Sequence, residues 1–155
     1  ENVGEFNIPL GKVEFISKGN DITVISYGST LKLIEKTIPE LKKHNIEIEL
    51  IDLQTLIPFD INNDILISVK KTNKLLIVDE DYPGGASSFI LNKIIEDQDA
   101  FKYLDSKPIT LTAKEHRPPY GSDGDYFSKP SIDDIFEECY KIMNEYDPKR
   151  FPKKY

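Results

Sequence analysis

Carboxylates at the ends of apolar runs are the first residues in this chain with the means for chemistry. Asp52 closes IEIELID, and Asp79, Glu80 and Asp81 close KLLIVDED. Such groups gathered at one sheet edge, with Lys114 after a last short run, are the materials of a magnesium site. YGST (27–30) and PGGASS (83–88) put glycines where a strand passes into a helix, and N–H groups at a helix start attract anions. Each has a plainer reading: helix capping by Ser29 or Thr30, and close strand–helix approach at Gly84 and Gly85. Neither GxGxxG nor GxxxxGK[ST] occurs, so no nucleotide cradle is indicated. Glu115 and His116 are neighbours that point to different sides of an extended chain, which suits a surface role better than an acid–base pair. Cys139 falls on the apolar face of a helical repeat with no histidine near it in sequence, the position of a packing residue rather than a nucleophile.

These residues must be positioned by elements that the apolar pattern sets out. Residues 46–60, IEIELIDLQTLIPFD, read as a buried strand running into a turn, the pattern of an interior strand in a parallel sheet whose carboxyl end faces a functional edge. Pro58 stops further ladder pairing, and Asp60 or Asn62 is placed to cap the next helix, near 62–72. Upstream, VEFIS (13–17) and DITVISYG (21–28) flank Gly19 and Asn20 and predict a hairpin with an antiparallel edge strand. Leu31, Ile34, Ile38 and Leu41 give one face of a helix in which Pro39 predicts a kink or a restart. Downstream come the strand KLLIVDED, a helix with Phe89, Ile90 and Ile94 buried, the short strand PITLTAKE, a long loop (116–130), and a helix capped by Ser131. Strand–helix alternation makes this an α/β fold: a five-stranded, mostly parallel sheet with one antiparallel edge strand and helices on both faces, in three layers.

Length and charge narrow the class. The chain has 155 residues, enough to bury about two-thirds of its unfolded surface around one core. Residues 1–12, with Phe6, Ile8 and Leu10 alternating, read as a leading arm or linker, 13–146 as a single domain and 147–155 as a loose basic tail. With 20 basic and 27 acidic residues the formal charge is −7, which argues against nucleic acid or anionic membrane as a partner. One cysteine, two distant histidines and no spanning apolar run predict a cytoplasmic or equivalent reducing location and no zinc or haem site. The chain starts at Glu1 and its only methionine is Met143, so it is expected to be processed or cut from something longer.

Three motifs in fixed order, GKVEFISKGNDITVISYGS, IELIDLQTLIPFD and KLLIVDEDYPGGASSFI, resemble the carboxy-terminal domain of the transketolase superfamily, most closely the beta part of 2-oxo acid dehydrogenase decarboxylating components. Gly28, the run Asp52, Leu53, Thr55, Leu56, Pro58 and Asp60, and the pair Gly84 and Gly85 carry the likeness as structural positions. The resemblance implies an enzyme that uses thiamine diphosphate and Mg²⁺ to decarboxylate a 2-oxo acid and passes the acyl unit to a lipoyl group on an acyltransferase core. In such enzymes the cofactor is held by other domains, so this fragment is expected to have no catalytic, cofactor or metal residues and no activity alone. GSDGDY (121–126) resembles the opening of a thiamine-diphosphate motif, but no strand precedes it and no paired asparagines follow, so it is rejected as a cofactor site. The implied partners are the remaining domains or alpha subunit of the same enzyme, a second beta portion and the core, with Asp123, Asp125, Tyr126 and Phe127 as candidate docking residues. The late loop EHRPPYGSDGDYF departs from the family's Asp-Thr-Pro-Phe-Pro-His and leaves pyruvate and branched-chain 2-oxo acids both open.

Two other readings stand beside this one. A sugar-phosphate transketolase or deoxyxylulose-phosphate synthase shares the fold but fits the late motifs less well. A stand-alone phosphoacceptor signalling module would use the strand-end acids directly. Such modules place their acidic pair after the first parallel strand, which here ends in Tyr27, Gly28 and Ser29.

Overall fold

Strand β2 (Ile22–Ser26) is buried along its whole length and lies at the centre of a five-stranded sheet of order β1-β3-β2-β4-β5. The computed structural model describes residues 7–121 and 123–153. β3 (Ile48–Asp52) and β4 (Leu75–Val78) flank β2 in parallel, β5 (Ile109–Leu111) extends the parallel side, and β1 (Glu14–Ser17) closes the other edge antiparallel. The mixed sheet with one antiparallel edge strand follows the sequence pattern, and residues 46–52 take an interior position. β1 does not form the expected hairpin with β2: it pairs with β3, Glu14 opposite Asp52 and Phe15 opposite Ile51. The reason lies in the 18–21 connection, which crosses the start of β3 instead of turning back. A Cβ on Gly19 would sit 2.4 Å from the Glu47 carbonyl oxygen, so only glycine permits this crossing. Asp21 N–H donates to the Glu47 carbonyl, and the Asp21 carboxylate accepts from Glu47 N–H at 2.7 Å.

Alternation along the strands sends side chains to two cores. Ile22, Val24, Ile48, Leu50, Leu76 and Val78 meet helices α1 (Thr30–Lys43) and α5 (Ile132–Tyr146) on one face. Ile25, Ile51, Leu75 and Ile77 meet α2 (Asp64–Thr72) and α3 (Ala86–Asn92) on the other. The polar members of β2 and β3 on that second face are matched to α2. Thr23 Oγ1 lies 2.7 Å from both Ser68 Oγ and Thr72 Oγ1, and buried Glu49 accepts from Lys71 Nζ at 2.5 Å. Paired in this way, the polar groups avoid the cost of unsatisfied burial.

Several local expectations are revised. α1 runs as one helix through Pro39, which is exposed, so the helix does not restart there. Ser29 does not cap α1; its hydroxyl donates to Glu80 Oε1 instead. Ser131 does cap α5, in a reciprocal box with Asp134. The 116–130 loop contains a short helix, α4 (Gly124–Ser128). A π-helical turn, Lys93–Asp97, follows α3, and a 3₁₀ turn, Ala100–Tyr103, leads towards β5. Cys139 is fully buried in the first core, and burial pushes its thiol up to about 12, as packing rather than reactivity requires.

The tail expected to be loose is tied down as far as Pro152. Phe151 is 2% exposed and joins the α1–α5 core. Its carbonyl accepts from Asn144 Nδ2, and the next carbonyl, of Pro152, accepts from Tyr140 OH at 2.9 Å. Residues 1–6 of the arm, including Phe6, and Lys154 and Tyr155 of the tail lie outside the described residues. Phe151→Ala is expected to destabilise the fold by about 3 kcal/mol, as for a buried aromatic lost from a core. The midpoint of urea unfolding measures it, and a midpoint unchanged from the parent chain would mean that the tail does not contribute to the core.

Candidate functional site

The residues singled out by type gather at the carboxyl edge of the sheet in three groups, each built by the turn that follows a strand. After β3, Leu53 N–H donates to the Ser26 carbonyl, and Gln54 then takes a positive φ of 57°. Thr55 Oγ1 accepts from Gly11 N–H at 2.8 Å and lies 3.1 Å from the Pro58 carbonyl, so the leading arm is sewn to this turn. The Ile57–Pro58 peptide is cis. Asp60, 2% exposed, accepts from Asp64 N–H at 3.0 Å through Oδ1, and from Ile65 N–H at 2.9 Å and Gln98 Nε2 at 2.8 Å through Oδ2. It therefore caps α2 as the sequence indicated, with each carboxylate oxygen accepting one of the helix's first amides.

After β4 the pattern repeats. Asp79, 1% exposed, accepts from Tyr27 OH at 2.7 Å and Asp81 N–H at 3.1 Å through Oδ1, and from Ser87 N–H at 3.0 Å through Oδ2. Burial first, then the bond to Asp79 and the charges of Asp79, Asp81 and Glu80, raise the Tyr27 phenol above its ordinary value, so Tyr27 is a donor that stays protonated. Gly28 and Gly84 take positive φ values of 62° and 97°, and a Cβ on either would meet open space. These glycines serve backbone geometry, and no neighbouring protein atom requires their lack of a side chain. A Cβ on Gly85 would meet Asp81 Oδ2 at 2.7 Å, an approach within the turn itself rather than the strand–helix packing expected of Gly84 and Gly85.

The third group lies on α4. Asp123, Asp125, Tyr126 and Phe127 are all exposed and share one helical turn whose ends are pinned by Lys114 N–H to the Ser128 carbonyl at 2.9 Å. Ser122 lies outside the described residues. Lys129 Nζ reaches Glu80 Oε2 at 3.2 Å and Asp125 Oδ1 at 3.7 Å, linking α4 to the edge beyond β4. Tyr126 OH donates to Asp133 Oδ2 at 2.9 Å, which raises the phenol above its ordinary value. His116 lies against Phe127 at 5.5 Å between ring centroids, a surface contact away from the strand-end acids.

This donor set does not suit a magnesium–diphosphate group. Asp79 and Asp60 spend their oxygens on backbone and side-chain donors, and among the described residues no three His, Cys, Asp or Glu side chains converge on a point. The same engagement counts against Asp79 as a phosphoacceptor, which needs an accessible carboxylate oxygen. Sequence reasoning passed over Tyr27, Gln98 and Lys129 as members of these groups. A tyrosine at a strand end and a lysine after a helical turn carry no special pattern, and Gln98 meets Asp60 from 38 residues away.

Fold and edge define a three-layer α/β domain in which Asp60 and Asp79 brace the helices that follow β3 and β4. The transketolase C-terminal domain family matches residues 11–129, and the chain belongs to that family. It is similar to the pyruvate dehydrogenase E1 component subunit beta of Rhizobium meliloti (strain 1021), 32% identical over 142 residues, which cover 88% of this chain and 30% of the relative. The same subunit of Mesostigma viride is 32% identical over 139 residues, covering 90% of this chain and 42% of the relative. The chain thus spans well under half the length of these relatives. In fold it is similar to a split-gene transketolase solved as an inactive beta4 tetramer, with a TM-score of 0.70 at 16% identity over 90% of this chain and 44% of that one. Among the described residues no helix is long and apolar enough to cross a membrane.

Asp52 provides a pH test of this edge. Burial raises its carboxyl above the ordinary 3.8, Glu14 adds to the rise, and the Gln54 amide, donating to Oδ1 at 3.1 Å, works against it. The native state therefore binds this proton more tightly than the unfolded chain does. Its contribution to stability falls as pH rises from 3.8 through the raised value. Asp52→Asn keeps the acceptor for Gln54 and is expected to remove that fall, so its stability relative to the parent should improve as pH rises through this window. Urea unfolding across the window measures it, and parallel curves for parent and variant would contradict the assignment.

Proposed function

We propose that the chain is the carboxy-terminal domain of the beta part of a thiamine-diphosphate-dependent 2-oxo acid dehydrogenase, with pyruvate favoured over branched-chain 2-oxo acids. The likeness to pyruvate dehydrogenase E1 beta subunits across 88% of the chain carries this reading. In it, thiamine diphosphate and Mg²⁺ are held by other parts of the full enzyme, in a reducing intracellular compartment. The leading arm, residues 1–12, connects to those parts. The described residues support a role in assembly: Asp60 and Asp79 are committed to capping, while α4 presents an acidic and aromatic face. The partners proposed for that assembly are an alpha subunit or fused equivalent, a second beta portion and a lipoyl acyltransferase core.

The isolated chain is expected to release no carbon dioxide from pyruvate or branched-chain 2-oxo acids when supplied with thiamine diphosphate and Mg²⁺. Detectable turnover, or tight thiamine-diphosphate binding by calorimetry, would contradict the proposal. Asp123 and Asp125 are proposed to meet a basic segment of the acyltransferase core, flanked by Tyr126 and Phe127. Because Asp125 is exposed and already near Lys129, its contribution is that of a surface charge. In the full enzyme the Asp123→Asn, Asp125→Asn double variant should bind the core about threefold more weakly at low salt. Its salt dependence should be flatter, and decarboxylation with an artificial acceptor unchanged. Unaltered core affinity at low salt would return both aspartates to shaping the turn.

A further inference from the structure

Two exposed apolar triplets meet where the leading arm reaches the domain. Ile8, Pro9 and Leu10 stand at the end of the arm, and Leu56, Ile57 and Pro58 in the turn after β3. All six are exposed, Leu10 at 70% and Ile57 at 82%. The bonds that fix the arm hold them on one surface. Gly11 N–H donates to Thr55 Oγ1, and Ile61 N–H donates to the Gly11 carbonyl, each at 2.8 Å. A Cβ on Gly11 would lie 2.8 Å from Ile61 Cγ2 and 2.9 Å from Pro58 Cγ, which brings Pro58 and exposed Ile61 against the arm.

Charge is missing from this surface. Across residues 7–12 and 55–63 the one exposed charged side chain is Lys12, in a chain of which 30% is charged. Asp60, the other charged residue there, is buried and bonded to α2. The turn also walls a cleft of about 400 Å³ that it shares with Phe59, Phe89, Lys93 and Gln98, so the patch has relief as well as area. Single exposed aliphatic side chains are ordinary, whereas joined ones mark a surface that something covers. Consecutive apolar residues facing water are unfavourable unless they are used, and depletion of charge distinguishes the centre of a contact from the rest of a surface.

We propose that residues 8–10 and 56–58, with Ile61, seat an apolar face of the part of the same polypeptide that precedes this domain. The inference rests on the reading of the chain as the carboxy-terminal domain of a longer enzyme. On that reading the preceding part joins through the arm, and the arm's last residues form half of the patch. The chain spans 30% and 42% of two relatives, so the part outside it is large enough to present a packed face. A body tethered at the rim of the patch meets it at an effective concentration on the order of millimolar, whereas a second copy must bind from solution.

The test uses the full-length enzyme with the photoreactive residue p-benzoylphenylalanine in place of Ile57, assembled from equal parts of ¹⁴N and ¹⁵N chains. Illumination should link position 57 to residues that precede this domain in the same chain, so each linked peptide pair carries one isotope only. The same probe in place of Leu10 should reach the same region, and adding Ile57→Asp to that variant should lower its yield. Three results overturn the proposal: mixed-isotope pairs, which mean a second copy; links to a different polypeptide; or a yield no higher than from the probe in place of exposed Lys32 on α1. Turnover of a 2-oxo acid by the same preparation reads the enzyme assignment separately. One-isotope links without turnover keep this surface and reject that assignment, and turnover without such links does the reverse.

Discussion

A buried carboxylate that accepts the first amides of the next helix is the interaction on which the carboxyl edge of this sheet depends. It occurs twice. Asp60 holds the start of α2 and Asp79 the start of α3, so the two helices covering one face are each anchored to a strand end. Neither helix start has a side-chain cap from its own boundary residue, Asn63 or Gly85. An N-terminal cap is worth about 1 kcal/mol, and a carboxylate adds favourable charge at the positive end of the helix. From the sequence Asp60 reads as a helix cap and Asp79 as a strand-end acid suited to a magnesium site; in the fold both hold helix starts.

The opposite end of the sheet is governed by a different constraint, the burial of a cation. Lys74, which precedes β4, is 4% exposed. Its Nζ lies 3.6 Å from the centroid of the Tyr146 ring, 3.3 Å from the Thr72 carbonyl and 3.8 Å from Asp105. Burial lowers its affinity for the proton, and the acids Asp105 and Asp21 oppose that effect. The lysine therefore ties the end of α5 to the sheet while remaining paired, as a buried charge must. Chemistry and exposure concentrate instead at the carboxyl edge and on α4, where the docking proposal lies.

Much of this was legible in the sequence because burial leaves a period. The two-sided apolar runs of β2, β3 and β4 foretold a mostly parallel sheet with helices on both faces, and Asp60 and Ser131 declared their capping roles by position. What failed was partner choice. VEFIS alternates equally well against β2 or β3, and the decision rests on Gly19 passing the Glu47 carbonyl, a contact between residues far apart in the chain. Phe151 was misjudged because the basic residues around it dominate local composition, while one buried aromatic fixes the segment. Gln98 offered no signal, since its partner Asp60 and its cleft are assembled only by tertiary structure.

The central claim is that Asp60 and Asp79 are committed to backbone amides at the starts of α2 and α3. Native-state hydrogen exchange of the Ile65 and Ser87 amides tests it most directly. If the claim holds, both exchange only through global unfolding, with the same free energy and urea dependence as the core amides of β2. Exchange of either amide through local opening, independent of urea while β2 stays protected, would contradict it.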